Sequence, residues 1–292
     1  KKETRILYTS TIQVENSSPY GKSKKKAEEF FIDLAKRTKL DIKIIRLPNV
    51  FGKWCKPNYN SVVATFCHNI SRSLPIEINN KSSSLSLLYI DDLLNIIDKY
   101  IFNRSSKTKT LDRSIYLIPT PIYKTSLEEL AKLIKSFELS REEKHIDNYG
   151  IGLTRAMYAT YLSYLPSSKF AYKISSHKDA RGSFSEIIKT NSSGQVSYFT
   201  AHKGVTRGGH FHNTKNEKFL VVKGKALFKF KNRLSGEKFQ LETSDKEPVV
   251  VDTVPGWSHD ITNIGNEQLV VILWANEVFD KENPDTYMHM VD

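Results

Sequence analysis

The segment Gly204-Val205-Thr206-Arg207-Gly208-Gly209-His210-Phe211-His212, followed by Glu217, Gly224 and a distant Pro255-Gly256-Trp257-Ser258-His259, constrains this chain most tightly. Residues two apart on a strand point to one face, so His210 and His212 can share a single point in space. Glu217 reaches that point across a short turn, just before the apolar run Phe219-Leu220-Val221-Val222. His259 must then return on a later strand, after a Pro-Gly turn. Three imidazoles and a carboxylate suit zinc or another divalent first-row ion. A lone H-x-H is weak in a chain with 8 His, and such histidines can simply fill a barrel or line a surface. The complete set in two matched halves favours a metal site at His210, His212, Glu217 and His259.

The texture of the chain changes around Pro166-Ser167-Ser168, which reads as a linker. Before it, strand-like runs such as Ile6-Leu7-Tyr8 and Asp41–Leu47 alternate with helical patterns, the signature of α/β organisation. Helices are expected from Pro19 onward, over 61–73 and 91–102, from an N-capping Ser126 to Phe137, and near 150–165. After Tyr172 come short strands with frequent turn residues: 184–190, 195–201, 217–223, 225–231, 236–241, 248–252 and 269–275. That spacing favours an all-β barrel or sandwich. Two domains are therefore expected, at 1–165 and 170–292.

Composition excludes several classes. No apolar run approaches a membrane span, and no secretory signal pattern is visible. Two cysteines, Cys55 and Cys67, cannot form a disulfide framework, which points to a reducing cytoplasm. The net charge of +12 is uneven, with 27 Lys+Arg against 17 Asp+Glu in residues 1–165. A basic surface could meet nucleic acid or anionic small molecules. Lys22, Lys24, Lys25 and Lys26 crowd one short stretch without aromatic alternation, so a solvated face is preferred and no nucleic-acid partner is expected.

Tyr20 and Lys24 fall one helical turn apart, which lets an ammonium stand near a phenol and favour its ionised form. A hydroxyl at the end of the preceding strand, Thr11, can bond the same substrate oxygen. Together they make a proton donor for a carbonyl that receives hydride. The order of strand–Ser-Thr, Pro19-Tyr20-Gly21-Lys22-Ser23-Lys24, Arg46-Leu47-Pro48-Asn49-Val50-Phe51-Gly52 and Leu88-Tyr89-Ile90-Asp91-Asp92 resembles the extended short-chain dehydrogenase/reductases acting on nucleotide sugars. That resemblance implies a catalytic set of Thr11, Tyr20 and Lys24. It implies contact of Pro48 with the nicotinamide and of Asn49 with the sugar, Lys24 also holding the nicotinamide ribose, and NADPH as cofactor. The family's Gly-rich turn after the first strand, where pyrophosphate meets a helix N-terminus, has no counterpart here. The sequence, opening on Lys1-Lys2-Glu3 near what would be the fifth strand, is thus expected to be the C-terminal part of a Rossmann-type protein. On its own it is expected to lack reductase activity.

The His/Glu spacing resembles the two signature motifs of the cupins, small double-stranded β-barrels. The second motif departs slightly, reading Pro-Gly-Trp-Ser-His. Asp179-Ala180-Arg181-Gly182-Ser183-Phe184-Ser185-Glu186 and Lys203–His210 resemble stretches of the dTDP-4-keto-6-deoxyhexose 3,5-epimerases, which are cupins. The match implies that Arg181 and Arg207 contact diphosphate or sugar and that Glu186 lies near the nucleotide. In those epimerases the residue matching His210 is the free base; a metal-bound imidazole cannot be, which leaves His202 as the candidate.

A Rossmann-type reductase followed by a cupin is similar to the CapF/WbjC-type enzymes of capsule and O-antigen synthesis. The resemblance implies C3 epimerisation of a UDP-4-keto-6-deoxy-N-acetylhexosamine in the cupin. NADPH-dependent C4 reduction to UDP-2-acetamido-2,6-dideoxy-talose follows, toward UDP-N-acetyl-L-fucosamine, in a cytoplasmic homodimer joined through the cupin. A competing expectation is a non-catalytic sugar-nucleotide-binding or dimerisation module with a structural metal.

Overall fold

The computed structural model describes residues 4–102 and 114–292; Lys1-Lys2-Glu3 lie outside them. The chain divides into two compact units, one of residues 1–138 with 148–170 and one of residues 139–147 with 171–292.

The first unit is α/β. Its elements are β1 (Arg5–Thr11), α1 (Pro19–Arg37), β2 (Asp41–Leu47), β3 (Asn49–Phe51), α2 (Val62–Ser71), β4 (Ser84–Tyr89), α3 (Ile90–Phe102), β5 (Tyr116–Leu117), β6 (Tyr123–Ser126), α4 (Leu127–Glu143) and α5 (Gly152–Ser163). β1, β2 and β5 pair in parallel, and Thr11 stands opposite Leu47 at the end of the first pair. β3 runs parallel to β4, which pairs antiparallel with β6. The polar run Tyr123-Lys124-Thr125-Ser126 carries little strand signal in sequence. It extends because β4 offers it a ladder.

Helix starts follow local chemistry. The Ser18 hydroxyl accepts from the Gly21 amide at 3.0 Å and Pro19 fills the first turn of α1. Ser126 and Glu129 form a reciprocal capping box, at 3.2 Å and 2.8 Å. α4 runs past Phe137 to Glu143, since Glu138-Leu139-Ser140-Arg141-Glu142-Glu143 contains no breaker. Phe51, Phe66, Leu87, Leu130, Phe137 and Tyr161 form the main core of this unit.

Glu28 ties three elements of this unit together. The side chain is 2% exposed on α1 and accepts from Arg46 of β2 at 2.7 Å and from the Tyr116 hydroxyl of β5 at 3.0 Å. Burial alone would push its carboxyl up. The hydrogen bonds from Arg46 and Tyr116 outweigh that and hold it below its ordinary value.

The second unit is β-rich. It comprises β7 (His177–Asp179), β8 (Gly182–Thr190), β9 (Gly194–Ala201), β10 (Thr206–Phe211), β11 (Glu217–Lys223), β12 (Lys225–Asn232), β13 (Lys238–Ser244), β14 (Val250–Asp252), β15 (Trp257–Asn263), β16 (Leu269–Ala275) and β17 (Tyr287–Met288). Its strands form two antiparallel sheets, of order β13-β12-β15-β10-β17 and β14-β11-β16-β9-β8-β7. Hydrogen bonding joins them as two sheets with their own edges, a sandwich-like arrangement, rather than as one closed barrel wall. β12 shows the half-buried alternation, with Ala226, Phe228 and Phe230 inward and Lys225, Leu227 and Lys229 less buried. Phe228, Phe230 and Ile261 of one sheet meet Phe199, Phe219 and Leu273 of the other in a common core.

Candidate functional site

In the second unit, one donor atom from each of His210, His212, Glu217 and His259 lies within 4.8 Å of the others. Strand geometry explains the convergence. His210 stands opposite His259 in the β10–β15 ladder, where a β-bulge after Gly208 inserts Gly209 as an extra residue. The two imidazole centroids are 4.7 Å apart. His212 follows one residue beyond the end of β10, with its ring 4.9 Å from that of His210. Glu217 opens β11 after the intervening turn. Gly208 has φ +102°, and a Cβ there would lie 2.8 Å from the His259 carbonyl oxygen and 2.9 Å from the Asp260 Cα. Only glycine permits that approach of two backbones.

The hydrogen-bond pattern at this cluster suits a cation. The His212 Nδ1–H donates to the Asp285 carbonyl at 2.6 Å. A neutral imidazole then turns its Nε2 lone pair toward the Glu217 carboxylate, 3.2 Å away. Two acceptors cannot satisfy each other; a proton or a metal ion has to lie between them. His259 Nε2 stands 3.5 Å from the same carboxylate, and both of its ring nitrogens are buried without a hydrogen bond. Burial, reinforced by His259 and His212, lowers His210 to about 4, which keeps it a neutral donor. An N3O donor set, neutral and anionic, fits a divalent first-row ion.

His210, Glu217 and His259, but not the buried His212, line a cavity of about 290 Å³ together with Arg181, Phe184, Phe199, Arg207, Asp260 and Met288. Arg207 stacks over Phe199 at 5.1 Å and donates to the Thr200 carbonyl at 3.2 Å. Arg181 is held by Asp179 at 2.6 Å. Glu186 lies outside this cavity, ion-paired with Lys189 at 3.1 Å and Lys144 at 3.7 Å. It lines a neighbouring recess of about 130 Å³ with Lys215 and Glu217. His202 is exposed and not among the cavity-lining residues.

Asp260 and Asp285 escape sequence reasoning. Strand alternation sends the residue after His259 to the opposite face, yet Asp260, paired with Gly208 beside the β10 bulge, lines the cavity. Its Oδ1 is buried without a partner, and burial pushes its carboxyl up. Asp285 is 73 residues from His212, and no local spacing announces it.

In the first unit, Thr11, Tyr20, Pro48 and Asn49 line one cleft of about 770 Å³ with Ser18, Asn60 and Ser61. Thr11 ends β1, and its hydroxyl accepts from the Gln13 amide at 3.2 Å. Tyr20 lies in the first turn of α1, half exposed to the cleft. Lys24 does not line the cleft. Its ammonium donates to the Thr9 carbonyl at 3.0 Å and stands 5.9 Å from the Tyr20 ring centroid. Gly21 sets the approach of α1: a Cβ there would meet the Gln13 carbonyl at 2.4 Å.

Comparison with known proteins agrees with this division. Residues 1–112 match the NAD dependent epimerase/dehydratase family, and residues 177–287 match the polysaccharide biosynthesis C-terminal domain. The chain is 51% identical over 282 residues to a UDP-2-acetamido-2,6-beta-L-arabino-hexul-4-ose reductase of Pseudomonas aeruginosa strain PA103, covering 97% of this chain and 74% of that protein. The crystal structure of the capsular polysaccharide assembling protein CapF from Staphylococcus aureus superposes with a TM-score of 0.91 at 40% identity, over 100% of this chain and 78% of that one. CapF with the inhibitor 3-isopropenyl-tropolone superposes at 0.86 with 38% identity, over 99% of this chain and 80% of that one. Relatedness of this extent and identity, spanning both units, makes the chain a member of the CapF-type capsular polysaccharide enzymes.

Proposed function

We propose that this chain acts on a UDP-4-keto-6-deoxy-N-acetylhexosamine in capsule or O-antigen synthesis, epimerising C3 in the second unit and serving C4 reduction through the first. In this reading residues 170–292 are a cupin domain and residues 1–165 the C-terminal part of a reductase domain. The observation that carries it is the convergence of His210, His212, Glu217 and His259, three of which line a cavity together with Arg181 and Arg207.

The chemistry follows from the ketone. A C4 carbonyl acidifies the C3 proton; its removal leaves an enolate with charge on the C4 oxygen, and return of a proton to the opposite face inverts C3. A divalent ion, zinc in this reading, held by the three histidines and Glu217 would supply a Lewis acid for that oxygen. Arg207 and Arg181 present planar forks suited to the diphosphate oxygens. Glu186, fixed between two lysines, is assigned to the nucleotide end.

At the cleft of the first unit, NADPH would supply hydride to C4. The C4 oxygen then needs a proton, and the Tyr20 hydroxyl is assigned to give it, with the Thr11 hydroxyl to orient the carbonyl. Lys24 is assigned to the nicotinamide ribose, Pro48 to the nicotinamide and Asn49 to the sugar. The product is UDP-2-acetamido-2,6-dideoxy-talose, on the way to UDP-N-acetyl-L-fucosamine. The sequence contains no G-x-x-G-x-x-G, so these residues account for the nicotinamide end alone. Two free thiols and a nucleotide-sugar substrate support a cytoplasmic setting, and we assign a homodimer joined through the second unit.

The test is proton exchange. The chain, incubated with the 4-keto substrate in deuterated water, should place deuterium at C3, and His210→Ala should abolish this. Undiminished exchange in that variant would remove the cluster from catalysis.

A further inference from the structure

Four hydrogen bonds to the Asp285 carboxylate and one to its carbonyl converge on the segment that carries the candidate ligands. Oδ1 accepts from the Asn213 amide at 3.1 Å. Oδ2 accepts from the Thr214 and Lys215 amides at 2.8 Å each, and from the Thr214 hydroxyl at 3.0 Å. These residues form the turn that separates His212 from Glu217. The Asp285 carbonyl accepts the Nδ1–H of His212 at 2.6 Å. One residue thus touches both the turn and the ring.

The neighbourhood is built to hold Asp285 there. Its φ is +35°, in the left-handed region that a side chain enters only when surrounding contacts require it. Lys215 is 6% exposed, and its ammonium donates to Thr286 at 2.9 Å. Immediately downstream, β17 pairs with β10, Met288 opposite His210 and Tyr287 opposite Phe211. The Phe211 and Tyr287 rings stack at 5.2 Å.

A carbonyl can only accept, so it fixes the proton of a neutral His212 on Nδ1 and leaves Nε2 free as a ligand. Such an outer partner also fixes the plane of the ring. A turn pinned by a carboxylate sets the distance between His212 and Glu217. We propose that Asp285 is the positioning residue of the metal centre, setting the tautomer of His212 through its carbonyl and the His212–Glu217 spacing through its carboxylate. This rests on the metal reading given above.

The experiment uses the 292-residue chain, with Co(II) as a spectroscopic probe. Wild type should bind Co(II) and show an intense visible spectrum of low coordination number. Asp285→Ala should weaken Co(II) binding by roughly 10–100-fold and alter the spectrum, while Asp285→Asn, which keeps one acceptor oxygen, should recover part of the loss. Binding by folded Asp285→Ala equal to wild type, with only a lower melting temperature, would reduce Asp285 to a turn cap and overturn the proposal. A wild-type chain that takes up no Co(II) would remove the metal centre itself and the proposal with it. Should the variants fail to fold, nitrogen NMR of His212 in the metal-free wild type still decides. The Nδ1–H tautomer is expected, and the Nε2–H tautomer would sink the assignment.

Discussion

His212 Nε2 and the Glu217 carboxylate face each other at 3.2 Å, while the opposite nitrogen of the same ring donates its proton to a carbonyl. The pair is therefore complete only with a cation between its members. A ligand that binds the folded state alone adds RT ln(1 + [L]/Kd) to stability, about 2.7 kcal/mol at one hundred times Kd. Zinc should raise the melting temperature of the second unit and a chelator should lower it again. Glu217→Gln keeps the shape and removes the charge, so zinc affinity should fall by more than roughly 100-fold, beyond what the loss of an outer partner costs. Isothermal titration measures this, and unchanged affinity would separate Glu217 from the centre.

Tyr20→Phe removes one hydroxyl from the cleft and leaves the second unit untouched. C4 reduction should fall by about 10²–10⁴-fold, the range for a positioned proton donor. The assay requires the chain joined to a relative's glycine-rich half. Deuterium incorporation at C3 should be unaffected; its loss would show that the two sites are not independent.

Glu28 links acid stability to the first unit. Its folded pKa lies below the ordinary value of 4.5, so its contribution is fully present above that value and is lost as pH falls toward the folded pKa. Glu28→Gln should destabilise the first unit by roughly 2 kcal/mol at neutral pH, less than for a fully buried pair because Arg46 is 35% exposed. The deficit should begin to shrink below about pH 4.5, as the unfolded chain takes up the proton that the folded carboxylate still resists. Urea melts at pH 7 and pH 4 check the sign, and an equal deficit at both would contradict it.

Gly208→Ala places a methyl group against the backbone of β15 at a positive φ. The strain of the left-handed region and the contact with His259 and Asp260 should together cost about 2 kcal/mol or more. Thermal melting of the second unit measures it. A melting temperature within a degree of wild type would show that the bulge accommodates a side chain.

Much of the architecture was legible because its signals are local. Short apolar runs between turn residues announced β12 and β16, an N-capping Ser126 announced the start of α4, and the H-x-H-x4-E spacing marked residues that the structure does bring together. Short elements were not legible. β6, β7 and β17 are two to four residues long, and each extends because a neighbouring strand offers it hydrogen bonds, not because its own residues prefer to.

Sequence alone determined which residues can bind a cation, since ligand chemistry belongs to the side chain and strand spacing is local. Tertiary structure decided what surrounds them. Asp285 reaches His212 across 73 residues, Asp260 lines the cavity against strand alternation, and Lys144 and Lys189 pair with Glu186 outside it. Tautomer, burial and charge at the site depend on these long-range partners, whose positions follow from how two sheets pack, and no spacing along the chain encodes that.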